Sequence, residues 1–395
     1  MTAINEPDMH FVLDCESGAS TLFCPPALHD PDHVLWCGRG PELVAYKETH
    51  GFTSVVYSTQ LKETLEKASK VHVIEEFPSI SAAFDLLHLK TALTEARVFK
   101  TALEVSLLQK AADITTDAHI ALMKAAKDKG ASERSLHALL EYKCFLGGAP
   151  LQAYTPIVAF NRNAAILHYI KNDAPFPESE PERAGMVLID AGCEYNLYTS
   201  DVTRTFPLNG VYTGDNKTLY EIVLDAQLQV IDAIRPGVEY EALHTLALKR
   251  VCAGLVKAGV LVGEVDELVD KDVAAMFFPH GLGHYLGLDV HDVGGYKPGV
   301  ERSDRPGYRN LRMKRTLEKD QVITVEPGCY FIDSILDEAI VDEKIAKYFN
   351  VPVLSRFRKL GGVRIEDDIL VTENGCDVLT KNIPKTIAEI EAVMR

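Results

Sequence analysis

Residues 278–296 read FPHGLGHYLGLDVHDVGGY and set His280, His284 and His291 among glycines that leave room for a ligand. Carboxylates suited to join His284 around metal stand in three other segments. Asp190 and Asp201 lie in LIDAGCEYNLYTSDVTRTF (188–206), Glu326 in ITVEPG (323–328) and Glu366 in VRIEDD (363–368). One histidine with four acids is an oxygen-rich donor set, which favours harder ions such as manganese over a three-histidine zinc site. Carboxylates that bridge suit two ions about 3.5–4 Å apart.

Each acid also has a plainer reading. GMVLID is an apolar strand ending in an acid, and a lone aspartate there is ordinarily a cap or turn residue. A hairpin returning through YTSDVTRTF would set Asp201 beside Asp190, a pair that repels itself unless a cation intervenes. In ITVEP the period of two places Thr324 and Glu326 on one face. In VRIEDD it pairs Arg364 with Glu366, opposite Val363 and Ile365. A glutamate on a strand is ordinarily a solvated edge residue. These strands are apolar enough for a buried sheet, where an unpaired carboxylate is costly and a metal neutralises it.

The chain of 395 residues is 47% hydrophobic and 25% charged, a balance for a soluble protein of two or more domains. Its 41 Lys+Arg against 57 Asp+Glu give −16, which argues against nucleic-acid or anionic-membrane partners. Eight scattered cysteines form no disulfide framework and read as reduced thiols. With no signal-like start and no apolar run of about 18 residues, the expectation is a cytoplasmic protein.

Taken in order, HFVLDCESGASTLFCPP (10–26) reads as a hairpin, FTSVVYS (52–58) and KVHVIEEF (70–77) as strands, and LKETLEKAS between them as a helix. Residues 79–127 read as helical and contain the junction to a second domain. Ser132 opens a further structural helix with Leu136, Leu139, Leu140 and Cys144 on one face, ended by Gly147 and Gly148. LQAYTPIVAF and AAILHYI read as strands, the latter carrying His168, which alone would be a core or surface histidine. Two long helices follow, broken at Pro236-Gly237. The segment KPGVERSDRPGYRNLRMKR is too polar for core, and QVITVEPG and GGVRIEDDILVT close the domain as strands.

The four quoted metal segments together resemble those of the pita-bread metallopeptidases, and the run from about Arg97 onward resembles the eukaryotic prolidase (Xaa-Pro dipeptidase) branch of that family. The resemblance implies an α+β fold: a partial creatinase/prolidase-like N-terminal domain over 1–95 and a pita-bread catalytic domain over 96–395. It implies a manganese-dependent Xaa-Pro dipeptidase in which Asp190, Asp201, His284, Glu326 and Glu366 hold two divalent ions, Asp201 and Glu366 bridging. A hydroxide between the metals would attack the scissile carbonyl, and Glu326 would move its proton toward the proline nitrogen. His168 and His291 would contact substrate and polarise the carbonyl, with Arg364 and Tyr154 in support. Arg312, in RNLRMKR, matches the arginine that takes a dipeptide's C-terminal carboxylate, a task for a planar bidentate donor.

Other readings on the same fold are an Xaa-Pro aminopeptidase acting on longer peptides, methionine aminopeptidase, and a binding protein without catalysis; the last would lose metal ligands, which are intact here. Two departures from the family pattern stand out. The N-terminal part matches only the later portion of the family's first domain, so that domain is expected to be shortened. This puts in question the homodimer it supports and the approach of a residue such as Trp36 to a partner, and it would leave a strand edge unpaired. IVAFNRNAAILHY also lacks the Gly/Ser-containing stretch that precedes the matching histidine in prolidases.

Overall fold

The computed structural model describes residues 4, 6–75 and 80–395. They divide into two compact units, Met1–Glu95 and Ala96–Arg395. In the first, β1 (His10–Leu13) and β2 (Ser20–Cys24) form an antiparallel hairpin. It turns at Gly18, whose φ of 73° suits a residue without a Cβ. Helices α1 (Pro31–Cys37) and α2 (Leu43–His50) lead to β3 (Ser54–Tyr57), which lies parallel to β2. After α3 (Leu61–Glu66), β4 (Val71–His72) pairs in parallel with β5 (Phe84–Asp85), and α4 (His88–Val98) follows. The expected strand at 70–77 is thus short where described, and its last two residues lie outside the described residues.

The helical text of 79–127 is not one helix. It yields β5, then α4, then α5 (Ala102–Ala125), with a break at 99–101 where Thr101 and Glu104 form a reciprocal capping box. Such a cap satisfies the backbone N–H groups that a new helix leaves open, so the chain restarts rather than continues. Residue 79 itself lies outside the described residues. Ser132 and Ser135 cap α6 (Glu133–Leu146) likewise, and Leu136, Leu140 and Cys144 are buried.

The second unit sets helices against small antiparallel sheets. Strands β6 (Leu151–Gln152), β7 (Ile157–Phe160), β8 (Met186–Asp190), β9 (Cys193–Tyr195), β10 (Tyr198–Thr199) and β11 (Thr203–Pro207) form two sheets, ordered β11-β8-β7 and β10-β9-β6. Helices α7 (Gly214–Ala233), α8 (Tyr240–Lys257) and α9 (Val265–Asp270) come next. Strands β12 (Val322–Val325) and β13 (Gly328–Tyr330) are separated from β14 (Gly362–Arg364), β15 (Asp367–Val371) and β16 (Cys376–Val378) by α10 (Asp333–Ala339) and α11 (Val351–Phe357). Helix α12 (Ile387–Val393) ends the unit. Alternate apolar residues of β8, β12 and β14, among them Ile189, Ile323 and Val363, join the apolar faces of α5, α7 and α8 in one core. The parity that buries Ile189 and Val363 turns Asp190 and Arg364 the other way, and both line one cavity.

AAILHYI is not a strand. Residues Asn161–Ala165 form a 3-10 turn and His168 lies on an exposed loop, because polar NRN cannot continue the buried β7. The loop is held from α6 instead. Buried Glu133 accepts from the N–H groups of Phe160 (2.9 Å) and Ala174 (2.9 Å), from Asn163 Nδ2 (2.9 Å) and from Tyr169 Oη (2.8 Å).

Candidate active site

Asp190 ends β8 directly opposite Thr203 of β11, and the β9–β10 excursion between them brings the chain back at Asp201. Gly192 makes that return possible, since a Cβ there would stand 1.9 Å from the Ser200 carbonyl oxygen. Tyr154 Oη reaches both carboxylates, at 2.5 Å from Asp190 Oδ1 and 2.6 Å from Asp201 Oδ1. One phenolic hydrogen cannot serve two carboxylates at once, so the pair calls for a further cation.

The histidine stretch lies along β12. The Thr324 N–H donates to the His284 carbonyl (2.9 Å), the Glu326 N–H to Leu282 (2.8 Å), and Leu286 to Val322 (3.0 Å). Here the glycines do something other than leave room for a ligand. A Cβ on Gly283 would come within 2.3 Å of the Thr324 carbonyl, so its absence lets the segment press against the strand. Glu326 follows β12, where Pro327 has no N–H to continue the ladder, and Glu366 lies in the two-residue gap between β14 and β15, so both stand just outside the strands expected to carry them.

His284 Nδ1 donates to the Tyr285 carbonyl (2.9 Å), which turns Nε2 toward the acids, 3.2 Å from Asp201 Oδ2 and 3.6 Å from Glu326 Oε1. Two triads of donor atoms form: His284, Glu326 and Glu366, and Asp190, Asp201 and Glu366. Glu366 belongs to both. His291 stands edge-on to His284 with centroids 4.5 Å apart. It forms a further cluster with Asp201 and His284.

Arg364 ties the acids to the sheet through Nη2 to Asp190 Oδ2 (2.5 Å), Nε to Thr203 Oγ1 (3.0 Å) and Nη1 to Tyr330 Oη (2.8 Å). Thr203 Oγ1 in turn donates to Glu366 Oε2 (2.7 Å), and Tyr330 lies 2.8 Å from His280 Nε2. Burial, together with Asp201, Glu326 and Asp190, drives the Glu366 carboxyl well above its ordinary range. Burial first, then Asp201 and Asp190 against His284, pushes Glu326 up to about 7. Asp190 is raised by burial, whereas Asp201 is held low despite burial by its bond to His284. Burial also lowers His291 to about 4 and His280 to about 3, so both are neutral at pH 7. Four carboxylates facing one guanidinium and one imidazole form an excess of buried negative charge that divalent cations fit.

Among the residues lining the cavity of about 750 Å³ are all five ligand candidates and Tyr154, His168, His291, Arg312 and Arg364. His280 also lines it, as do Asn310 and Arg302, which carried no signal in the sequence. Arg302 Nη1 (3.0 Å) and Tyr296 Oη (2.8 Å) both donate to the Leu311 carbonyl, fixing the backbone that carries Arg312. Two supports were absent from the sequence reading. Lys100 Nζ, in a side chain 1% exposed, lies 3.0 Å from buried Asp292 beside His291. Arg204, fully buried, donates to the Glu366 carbonyl at 2.6 Å and to Asp367 Oδ1 at 2.7 Å.

This fold and this donor set define a pita-bread metallopeptidase. Residues 106–373 match metallopeptidase family M24 and residues 1–74 the aminopeptidase P N-terminal domain. The chain belongs to family M24 and is a metallo-exopeptidase. It is 40% identical to human Xaa-Pro dipeptidase over 410 residues, covering 99% of this chain and 82% of that protein. It is also 40% identical over 401 residues to a probable Xaa-Pro aminopeptidase of Emericella nidulans, covering 98% and 85%. Among solved structures, Pseudomonas aeruginosa aminopeptidase PepP superposes with a TM-score of 0.82 at 35% identity, covering all of this chain and 87% of that one. A zinc-substituted Escherichia coli aminopeptidase P in complex with product gives 0.82 at 31%, with the same coverage. No described helix is long and apolar enough to cross a membrane.

Proposed function

We propose that the chain hydrolyses Xaa-Pro dipeptides with two divalent ions, manganese in this reading, held in its second unit. That unit, 96–395, is the catalytic domain and 1–95 the creatinase/prolidase-like N-terminal domain. Asp190, Asp201, His284, Glu326 and Glu366 would hold the ions. When bound, such ions activate water toward the scissile carbonyl and polarise that carbonyl. Manganese rather than zinc follows from the predominance of carboxylate oxygen over nitrogen.

The chain's own groups do the rest. Glu326, a carboxylate lining the cavity beside the other ligand candidates, would carry a proton to the departing proline nitrogen. His291 and His168 offer N–H donors to the carbonyl oxygen as charge develops on it. Arg364 and Tyr154 hold Asp190 and Asp201 in place.

The observation that carries the dipeptide reading is Arg312. Its side chain lines the same cavity as the ligand residues, and among the described residues no carboxylate pairs with it. A substrate carboxylate is a fitting partner. The aminopeptidase names among the relatives favour longer peptides as the second reading. Protein stripped with chelator and restored with manganese should cleave Ala-Pro and leave Ala-Pro-Ala largely intact. Preferential cleavage of the tripeptide moves the assignment to aminopeptidase P, and turnover undiminished by the chelator rejects the metal mechanism. The same reading includes a cytoplasmic homodimer, whose stoichiometry light scattering would measure.

A further inference from the structure

A second group of metal-ligating side chains lies in the first unit, and the peptidase chemistry leaves it unused. His72 of β4 and Asp85 of β5 are register partners across the two-residue ladder, and His88 opens α4 three residues later. One donor atom from each of the three lies within 4.8 Å of the other two.

The carboxylate between the histidines is already oriented. Its Oδ1 accepts from the N–H groups of Leu87 (3.0 Å) and His88 (3.1 Å), which fixes the plane of the group. Its Oδ2 is thereby turned toward His88 Nδ1 at 2.7 Å and His72 Nδ1 at 3.7 Å. The Asp85 side chain is only 14% exposed, while His72 and His88 are 39% and 68% exposed. A cation can therefore reach the two rings from solvent and find the acid beneath them. The rings stand 5.7 Å apart at 74°, so they approach from different directions. Lys70 Nζ lies 3.1 Å from the same Oδ2, with 56% of its side chain in solvent. It marks the oxygen as a place for positive charge and is free to swing away.

We propose that His72, Asp85 and His88 form a site for one divalent cation of the zinc class, with a fourth position left to water. Two imidazole nitrogens and one carboxylate oxygen suit zinc, nickel or copper better than manganese, magnesium or calcium, which prefer oxygen. The hydrogen bonds from Leu87 and His88 to Oδ1 are the outer support that such ligands require. The bound ion joins β4, β5 and the first turn of α4, and it stabilises the first unit by binding the folded form.

The test counts zinc bound to the full chain at buffered free zinc, using zinc alone as the probe. His72→Ala/His88→Ala should lose one zinc per chain and keep its peptidase turnover, which shows that it folds. Asp85→Asn should weaken that one site by about tenfold or more. Lys70→Met should tighten it by on the order of fivefold, because a competing cation about 3–4 Å away is removed. A hydrogen-bonded helix cap with no metal role would show neither the lost zinc nor the tightening. Unchanged stoichiometry in the double variant, or weaker zinc binding in Lys70→Met, overturns the proposal.

Discussion

Replacing Arg204 with Met tests whether the site rests on a buried ion network. The guanidinium donates from Nε to the Pro384 carbonyl (3.1 Å), from Nη1 to Thr203 (3.0 Å) and Glu366 (2.6 Å), and from Nη2 to Ile383 (3.2 Å) and Asp367 Oδ1 (2.7 Å). Met fills a similar volume and makes none of these bonds. Asp367, fully buried, keeps Lys385 (2.6 Å), Gln227 (2.8 Å) and Thr380 (2.7 Å) but loses the charge that most strongly holds its carboxyl low against burial. Removing one partner of a buried pair costs about 3–5 kcal/mol, a large share of the 5–15 kcal/mol by which a domain is stable. The measurement is urea unfolding of the second unit by circular dichroism, with manganese held constant. Adding Asp367→Asn removes the stranded charge, so the double variant should be more stable than the sum of the single losses by about 1–3 kcal/mol. A single variant within about 1 kcal/mol of the parent, or strictly additive losses, would refute the reasoning.

Arg312→Ala should lower kcat/KM for Ala-Pro by about 10- to 100-fold, the worth of a charged hydrogen bond, while changing Ala-Pro-Ala little. Equal losses on the two substrates would remove Arg312 from carboxylate recognition. Glu133→Ala should lower kcat and destabilise the unit by about 2–3 kcal/mol by freeing the loop that bears His168. Its effect on kcat should be less than additive with that of His168→Ala, and simple additivity would separate the two residues. His244 is fully buried against Phe278 and Tyr308 with no hydrogen-bond partner for either ring nitrogen among the described residues, and burial lowers it to about 4. The unfolded chain therefore takes up the proton first, and stability present above pH 6.5 is lost as the pH falls toward 4, by about 3 kcal/mol at most. His244→Leu should flatten that slope between pH 7.5 and 5 in urea titrations, and an unchanged slope would show that other groups carry it.

Residue type and strand position made Asp190, Asp201, Glu326 and Glu366 candidates to join His284, and the resemblance to the pita-bread metallopeptidases made the five a ligand set. An acid among apolar residues is anomalous in the sequence itself, and the period of two gives the face it shares. Ser132 and the hairpin around Gly18 were legible for the same reason: caps and turns are decided within a few residues. AAILHYI misled because its composition suits a strand while Asn163 before it and Tyr169 within it are held by Glu133 from α6, contacts no local pattern carries. Which charge neutralises which was likewise decided only by tertiary structure. Arg364 finds Asp190 across the sheets, Arg204 finds Asp367, and Lys100 finds Asp292. Buried charges choose partners by distance in the packed chain, and periodicity along the sequence records the face of a residue but not what lies opposite it.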